Sequence, residues 1–299
     1  CKLIIQGIKS IPNCEVIHLS SICYPPSLIF ALWSILLKKK VIWSPRGEFA
    51  PEAVQNNKLK KILFSTIRFL FRKKVIFHAT SNKELSEIKE VISPNKTVVL
   101  PNYMELPLPL PYDPSEKYLL YVGRINRIKA IHKLILALSQ SDTFKNSDFK
   151  LKIAGDTTTF KDYYIELVQL ISELGLSSKV EFLGRIDGEK KTQLYANAYF
   201  FFLVSESENF GNVVIEAMSQ GTPVVTSYGT PWKELQGKRI GYHVENTPAI
   251  LAKTIDEVLS ISPLEYLQLR QKVKRYCTEN YSIQTNVDKW IQVYKSVLL

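Results

Sequence analysis

Ser205-Glu-Ser-Glu-Asn-Phe-Gly-Asn-Val-Val-Ile-Glu-Ala-Met-Ser-Gln-Gly-Thr-Pro-Val-Val-Thr-Ser227 is the stretch that decides the fold class. The six residues before it, 199–204, are apolar without alternation, which predicts a strand buried on both faces of a parallel sheet. Gly211 punctuates a turn, and the apolar run from Val213 to Met218 reads as a helix that Gly221 stops. In an α/β protein such a strand-to-helix junction is where the ligand sits. Glu208 falls on the junction loop and Glu216 one turn into the helix. A carboxylate among Val213, Val214, Ile215, Ala217 and Met218 is costly to desolvate unless it is hydrogen-bonded, so the pattern predicts donors for Glu216, ligand hydroxyls among them. The competing reading is a glutamate that faces water.

Outward from this stretch, apolar runs alternate with helical patterns along most of the chain, which argues for βαβ units and parallel sheets. Strands are predicted at 15–19, 41–44, 75–80 and 97–100, with a capping box of Ser81 and Glu84 opening the third helix. The fourteen residues 101–114 contain five prolines and read as a linker, since neither a helix nor a central strand survives that density. Beyond it, strands near 118–122, 151–154, 180–183, 199–204, 223–226 and 241–244 make a complete doubly wound unit, followed by two amphipathic helices around Tyr281-Ser282. The expected domains are 1–112, a partial Rossmann-like domain, and 113–280, a ligand-binding one, with a terminal helix over 281–299.

At 299 residues, 45% hydrophobic and 22% charged, the chain suits two soluble α/β domains. Cys1, Cys14, Cys23 and Cys277 show no Cys-x-x-Cys spacing, which argues against a disulfide framework or a zinc site and fits a reducing compartment. The longest apolar run, 28–37, is too short to span a bilayer and is expected to be a sheet-packed helix. The net charge is +11, and residues 1–116 hold 16 Lys/Arg against 9 Asp/Glu. Much of that excess lies in Lys38-Lys39-Lys40 and in 58–74, where cations interleave with apolar residues as in a basic amphipathic helix. Such a helix either lies on an anionic membrane or packs on the core with a solvated cationic back. No helix-turn-helix, zinc-finger or RNP-like pattern accompanies the charge, so nucleic acid is not an expected partner.

The spacing Glu208-x7-Glu216, with Asn-Phe-Gly inside it and Glu-Ala-Met-x-x-Gly-Thr-Pro-Val-Val at its end, resembles the donor-site signature of glycosyltransferase family 4. Leu119-Leu-Tyr-Val-Gly-Arg-Ile-Asn-Arg-Ile-Lys129, Ile153-Ala-Gly-Asp156 and Val180-Glu-Phe-Leu-Gly-Arg185 match it in the expected order. The resemblance implies a GT-B fold of two Rossmann-like, doubly wound α/β domains facing a cleft, and a retaining transfer of a hexose from a UDP- or GDP-sugar. It implies that Arg124 and Lys129, after Gly123, hold the donor diphosphate and stabilise its growing negative charge. Glu208 then touches the transferred sugar and Glu216 the ribose hydroxyls. The backbone N–H groups of Phe210, Gly211 and Asn212 reach sugar or phosphate, and Arg185 borders the base.

Ala130 departs from the family, whose members usually have Gly there, and Arg46 stands where relatives often carry a histidine. His18 and His78, at strand ends, either face the crevice or are hydrogen-bonded structural residues. No Asp-x-Asp occurs, so no metal or other cofactor is expected and the diphosphate must be neutralised by the protein. Relatives begin with a Gly-rich loop after the first strand, and none precedes Glu15, which predicts that the first βα units are absent. Thr230-Pro-Trp-Lys-Glu-Leu235 resembles a variant of bacterial surface-polysaccharide transferases, implying a glycan or lipid-linked acceptor and a cytoplasmic chain, peripheral on the inner face of the cell membrane. Two alternatives stand beside this: a truncated or degenerate module that binds nucleotide-sugar without transferring it, and a GT-B epimerase.

Overall fold

The computed structural model describes residues 2–54 and 58–298; Cys1 and the side chain of Lys58, both invoked above, lie outside the described residues. The chain divides into one unit of residues 1–103 with 286–299 and a second of residues 104–285. The first contains α1 (Lys2–Ser10), β1 (Val16–Ser20), α2 (Pro25–Leu36), β2 (Lys40–Ser44), α3 (Pro51–Val54), α4 (Lys58–Phe71), β3 (Ile76–Ala79), α5 (Asn82–Val91) and β4 (Lys96–Val99). In the second, β5 (Tyr118–Val122), α6 (Ile131–Gln140), α7 (Asp142–Lys145), β6 (Lys150–Ala154), α8 (Lys161–Glu173), β7 (Val180–Gly184), α9 (Gly188–Asn197) and β8 (Phe200–Leu203) come first. Then follow α10 (Asn212–Ser219), β9 (Val224–Ser227), α11 (Glu234–Gly237), β10 (Gly241–Val244), α12 (Pro248–Leu259) and α13 (Pro263–Tyr281), and α14 (Ile283–Leu298) passes from the second unit into the first. Among the described residues no helix is long and apolar enough to cross a membrane.

The four strands of the first unit run parallel in the order β1-β2-β3-β4. Strand parity separates the two faces of this sheet. Leu19, Val41, Trp43, Phe77 and Ala79 join Ala31 of α2, Phe64, Ile67 and Phe71 of α4, and Ile88 of α5 in one core, so those three helices cover one face. The alternate positions, His18, Ser44 and His78, meet α14 instead, where the Trp290 ring centroid lies 5.0 Å from that of His18 and 4.8 Å from that of His78.

These residues form one directional chain. His78 Nε2 is 2.9 Å from the Leu100 carbonyl and must donate to it, so its Nδ1 accepts from the Ser44 hydroxyl at 2.8 Å. Ser44 Oγ then accepts from His18 Nε2 at 2.8 Å, and His18 Nδ1 accepts from Tyr294 OH at 2.9 Å. Of the two alternatives for these histidines, the structure shows the hydrogen-bonded one. Burial, assisted by the Arg46 charge, lowers both imidazoles to about 4. A group whose folded pKa is depressed contributes stability that is complete above its unfolded value near 6.5 and is lost as pH falls towards about 4. His78 is buried and His18 more exposed, so His78 carries most of the effect, on the order of 3 kcal/mol at most. Thermal melts between pH 7 and 4 are expected to show that loss in the wild type and a flatter profile in His78→Asn; identical profiles would remove the relay from the account.

The second sheet is parallel throughout in the order β10-β9-β8-β5-β6-β7. The strand order reverses between β5 and β8, the switch point at which doubly wound sheets open a crevice beyond their C-terminal ends. All four residues of β8 are buried, as its unbroken apolar run predicts.

Two local expectations are corrected. The stretch read as a linker, 101–114, belongs to the second unit from Met104 onward: Met104 bridges Ser282 and exchanges backbone hydrogen bonds with Tyr281 and Ile283, and Tyr112 packs on Tyr266. Its prolines forbid a helix or central strand but leave alternate residues free to pack. The Ser81/Glu84 box is half formed. Ser81 Oγ accepts from Glu84 N at 3.2 Å, but the Glu84 carboxylate, nearly fully buried, turns to the backbone N–H groups of Thr80 and Gly47, at 2.7 and 2.8 Å. A complete box opens α13 at Ser262 and Glu265, where the sequence reading placed none.

Candidate active site

Strands β5, β6 and β7 each end at a glycine, and their ends are stitched in line: Gly123 N donates to Ala154 O at 3.0 Å and Gly155 N to Gly184 O at 2.8 Å. A Cβ on Gly155 would stand 2.2 Å from Gly123 O, so no other residue permits this approach. Above these ends lies a cavity of about 310 Å³ whose lining includes Gly123, Arg124, Asp156, Arg185, Lys191 and Val213. Three cations, Arg124, Arg185 and Lys191, therefore line this cavity together with two carboxylates, Asp156 and Asp187. Asp156 accepts from both the Thr159 and the Thr158 hydroxyls, which hold its carboxyl well below the usual range and keep it ionised and turned to its own loop.

Lys129 closes a 3-10 turn, Arg127–Lys129, and α6 starts only after Ala130, which adopts a left-handed φ of +53°. That conformation costs an L-residue about 1–2 kcal/mol and is free for glycine, the physical reason a glycine suits this position. Lys129, almost fully buried, is not among the cavity-lining residues but is drawn to Glu208, with which it forms an ion pair. The pairing is set by loops that hold one another: Glu206 N donates to Ile128 O at 2.8 Å, Glu208 N to Gly229 O of the loop after β9 at 3.0 Å, and Lys133 of α6 meets Glu206 at 2.6 Å.

Gly211, at φ +80°, caps α10, and a Cβ there would come within 2.8 Å of Leu203 Cδ2. Phe210 is buried against Trp232, whose indole N–H donates to the Phe210 carbonyl at 2.5 Å, so Phe210 supports the loop with its ring and offers only its backbone N–H. Asn212, the first residue of α10, is exposed. Arg185 is exposed and pairs with Asp187 at 2.7 Å, which raises its pKa.

Glu216 is neither solvated nor short of donors. Its Oε2 accepts from Tyr195 OH at 2.8 Å and from Lys191 Nζ at 2.7 Å. Burial, and then the Glu216 charge, push the Tyr195 phenol well above its ordinary range, so it stays a donor. Sequence reasoning missed both partners. Their spacing, i and i+4 on α9, puts them on one helix face, and that was the available signal.

A family model described as "Glycosyl transferases group 1" matches residues 105–279, which hold the whole second sheet and both site loops. The chain belongs to this family. An uncharacterized glycosyltransferase of Methanocaldococcus jannaschii is 35% identical over 184 residues, covering 60% of this chain and 45% of that protein. N-acetyl-alpha-D-glucosaminyl L-malate synthase of Bacillus anthracis is 25% identical over 251 residues, covering 79% of this chain and 63% of the synthase. The chain thus spans about half the length of these curated relatives. Anabaena HepE, solved in complex with UDP and glucose, superposes with a TM-score of 0.81 at 20% identity over 99% of this chain and 82% of its own. That likeness shows the fold: two parallel-sheet α/β domains, as in GT-B glycosyltransferases. In this glycosyltransferase-family chain, Asn126 Oδ1 and Ser205 Oγ, on the two interlocked loops, are buried with no hydrogen-bond partner among the described residues.

Proposed function

We propose that the chain is a retaining glycosyltransferase that moves a hexose from a UDP- or GDP-sugar to a glycan or lipid-linked acceptor in cell-surface polysaccharide assembly, on the cytoplasmic side of the membrane. The observation that carries this is the convergence of Arg124, Arg185 and Lys191 on the cavity beyond β5–β7, with Glu216 on Lys191 and Glu208 on Lys129 at its flanks. A diphosphate fits such a mouth, since guanidinium and ammonium groups supply charge-assisted donors and replace a metal ion. Anabaena HepE, of the same fold, was solved with UDP-glucose, which supports a nucleotide-sugar donor.

In this reading Arg124 and Lys129 stabilise charge on the departing phosphate, Glu208 orients Lys129 and meets the sugar hydroxyls, and Glu216 accepts from the ribose diol. The N–H groups of Gly211 and Asn212 face the sugar or phosphate, and Arg185 borders the base. The glycosidic bond breaks with its electron pair leaving on phosphate, which takes the acceptor proton as the new bond forms on the same face. As the diol reaches Glu216, Lys191 is released towards the diphosphate. A second reading, a small hydroxylated acid as acceptor, is favoured by the names of two relatives, the malate synthase and a D-inositol 3-phosphate glycosyltransferase of Salinispora arenicola.

A thermal-shift titration with UDP, GDP and ADP tests the donor site. A nucleotide at 100 times its dissociation constant is expected to add about 2.7 kcal/mol, and Arg124→Ala and Glu216→Ala to abolish the shift. If none of the three stabilises the chain, the donor site does not work. If one binds while no sugar is transferred, the chain is a nucleotide-sugar-binding module.

A further inference from the structure

The first unit carries a second surface whose chemistry the donor site does not use. The 28–37 apolar run was expected to be a sheet-packed helix, and α2 packs on β1 and β2, but not with all of its large side chains. Its core side is Ser27, Ala31 and Ser34, flanked by the partly buried Leu28, Phe30 and Ile35, whereas Ile29, Leu32, Trp33 and Leu36, at the i, i+3, i+4, i+7 spacing of a single face, are 38–72% exposed on the opposite side. The neighbouring α4 repeats the pattern. Phe64, Ile67 and Phe71 enter the core, while Leu59, Ile62 and Phe69, turned away from it, are 64–84% exposed. Both helices cover the same sheet face, so both apolar stripes look outward from one layer.

Seven large apolar side chains in the open are more than scattered surface residues explain. Exposed cations surround them: Lys38 and Lys40 follow α2, and Lys61, Arg68, Lys73 and Lys74 lie on or just after α4, while neither helix contains an Asp or Glu.

We propose that the outward faces of α2 and α4 dock on an anionic lipid bilayer, with the apolar stripes at the headgroup–acyl boundary and the cations on the phosphates. An apolar stripe bordered by Lys and Arg matches the two layers of such an interface, acyl chains below and anionic headgroups above. A second copy of this chain matches poorly, because it would bring the same cations face to face with no carboxylate from either helix between them. An acceptor carried on a lipid would then be presented to the first unit from the membrane plane, and the readout below is lipid binding, separate from transfer.

The chain would be sedimented with vesicles of phosphatidylcholine alone and of phosphatidylcholine mixed with phosphatidylglycerol. Binding is expected only to the mixed vesicles and should weaken with added salt. Leu59→Ser/Ile62→Ser/Phe69→Ser and Leu32→Ser/Leu36→Ser, at exposed positions that leave the core intact, should each weaken binding about ten-fold or more. Brominated lipid should quench Trp33, with Trp33→Phe removing the quenching, because Trp43 and Trp232 are buried and Trp290, the fourth tryptophan, packs on His18 and His78 on the other face of the sheet. Equal binding to both vesicle types, undiminished binding by the serine variants, or self-association that the same variants abolish would each overturn the proposal.

Discussion

Lys129→Ala is expected to lower the rate of glycosyl transfer about 100- to 1,000-fold, the loss typical when one preorganised electrostatic contact to a developing anion is removed. The size of the loss follows from how the ammonium is held. It sits almost fully buried at the end of a 3-10 turn, beside a left-handed Ala130, and is aimed by Glu208. A buried, pre-aimed charge needs no reorganisation when charge grows on the phosphate, and the low dielectric around it strengthens the interaction. The same burial predicts a structural cost: without Lys129 the Glu208 carboxylate is left half-enclosed, and stability should fall by up to about 3 kcal/mol. The double variant Lys129→Ala/Glu208→Ala separates the two effects, because it removes the carboxylate along with the ammonium. Its melting temperature should recover towards wild type while transfer stays low. Steady-state rates with UDP-glucose and thermal melts of both variants provide the check, and transfer at the wild-type rate by a folded Lys129→Ala protein would remove Lys129 from the mechanism.

The largest stability effect is expected at Arg270, far along α13. Its guanidinium is buried yet faces no carboxylate among the described residues. It donates instead to the carbonyls of Ala196, Ala198 and Gln220 at 2.8, 3.2 and 2.9 Å, and it lies 4.1 Å from the Tyr112 ring centroid. Those carbonyls close the C-termini of α9 and α10, where the backbone carries partial negative charge, so one side chain neutralises two helix ends. Arg270→Met keeps the bulk and strands three buried acceptors, and it should cost the second unit about 3–5 kcal/mol. Arg270→Lys should recover part of this, since an ammonium lacks the planar fork that spans both helix ends. Because α9 carries Lys191 and Tyr195 and α10 carries Glu216, nucleotide affinity should fall with it. Urea melts would decide; a loss below about 1 kcal/mol in Arg270→Met would mean that water replaces the guanidinium.

The legible parts of this molecule are those that a local pattern determines. The unbroken apolar runs at 118–122 and 199–204 can be satisfied only inside a sheet covered on both faces, and both are central strands. Gly221 was readable as a helix stop because only a residue tolerant of positive φ closes that turn. The positions of Glu208 on the loop and Glu216 on the helix followed from the same junction. Their partners did not. Lys129 and Glu208 are brought together by two loops from different strands, and Lys191 reaches Glu216 from a third element, so no single window of sequence contains either pair. Arg270 shows the limit most clearly: an arginine within a polar helix looks solvent-facing until α9 and α10 are stacked on it.

The direction of a helix face is the other such case. Periodicity shows that α2 is amphipathic in size, with small residues on one side and large apolar ones on the other, and hydrophobicity then suggests that the large side goes inward. The chain divides the large residues instead: Leu28, Phe30 and Ile35 pack on the core beside Ser27, Ala31 and Ser34, while Ile29, Leu32, Trp33 and Leu36 stay in the open. Close packing against a strand is a property of the gap between elements, and it exists only once both are in place. By itself, then, the sequence determined the parallel α/β class, the strands, the glycine turns and the strand-to-helix junction that bears the two glutamates, because each follows from short-range sterics or from the burial of a continuous apolar run. The tertiary structure alone decided which cation meets which carboxylate, which histidine tautomers link β1, β2 and β3, and which faces of α2 and α4 stay in the open, because charge pairing and packing depend on distances between residues far apart in the chain.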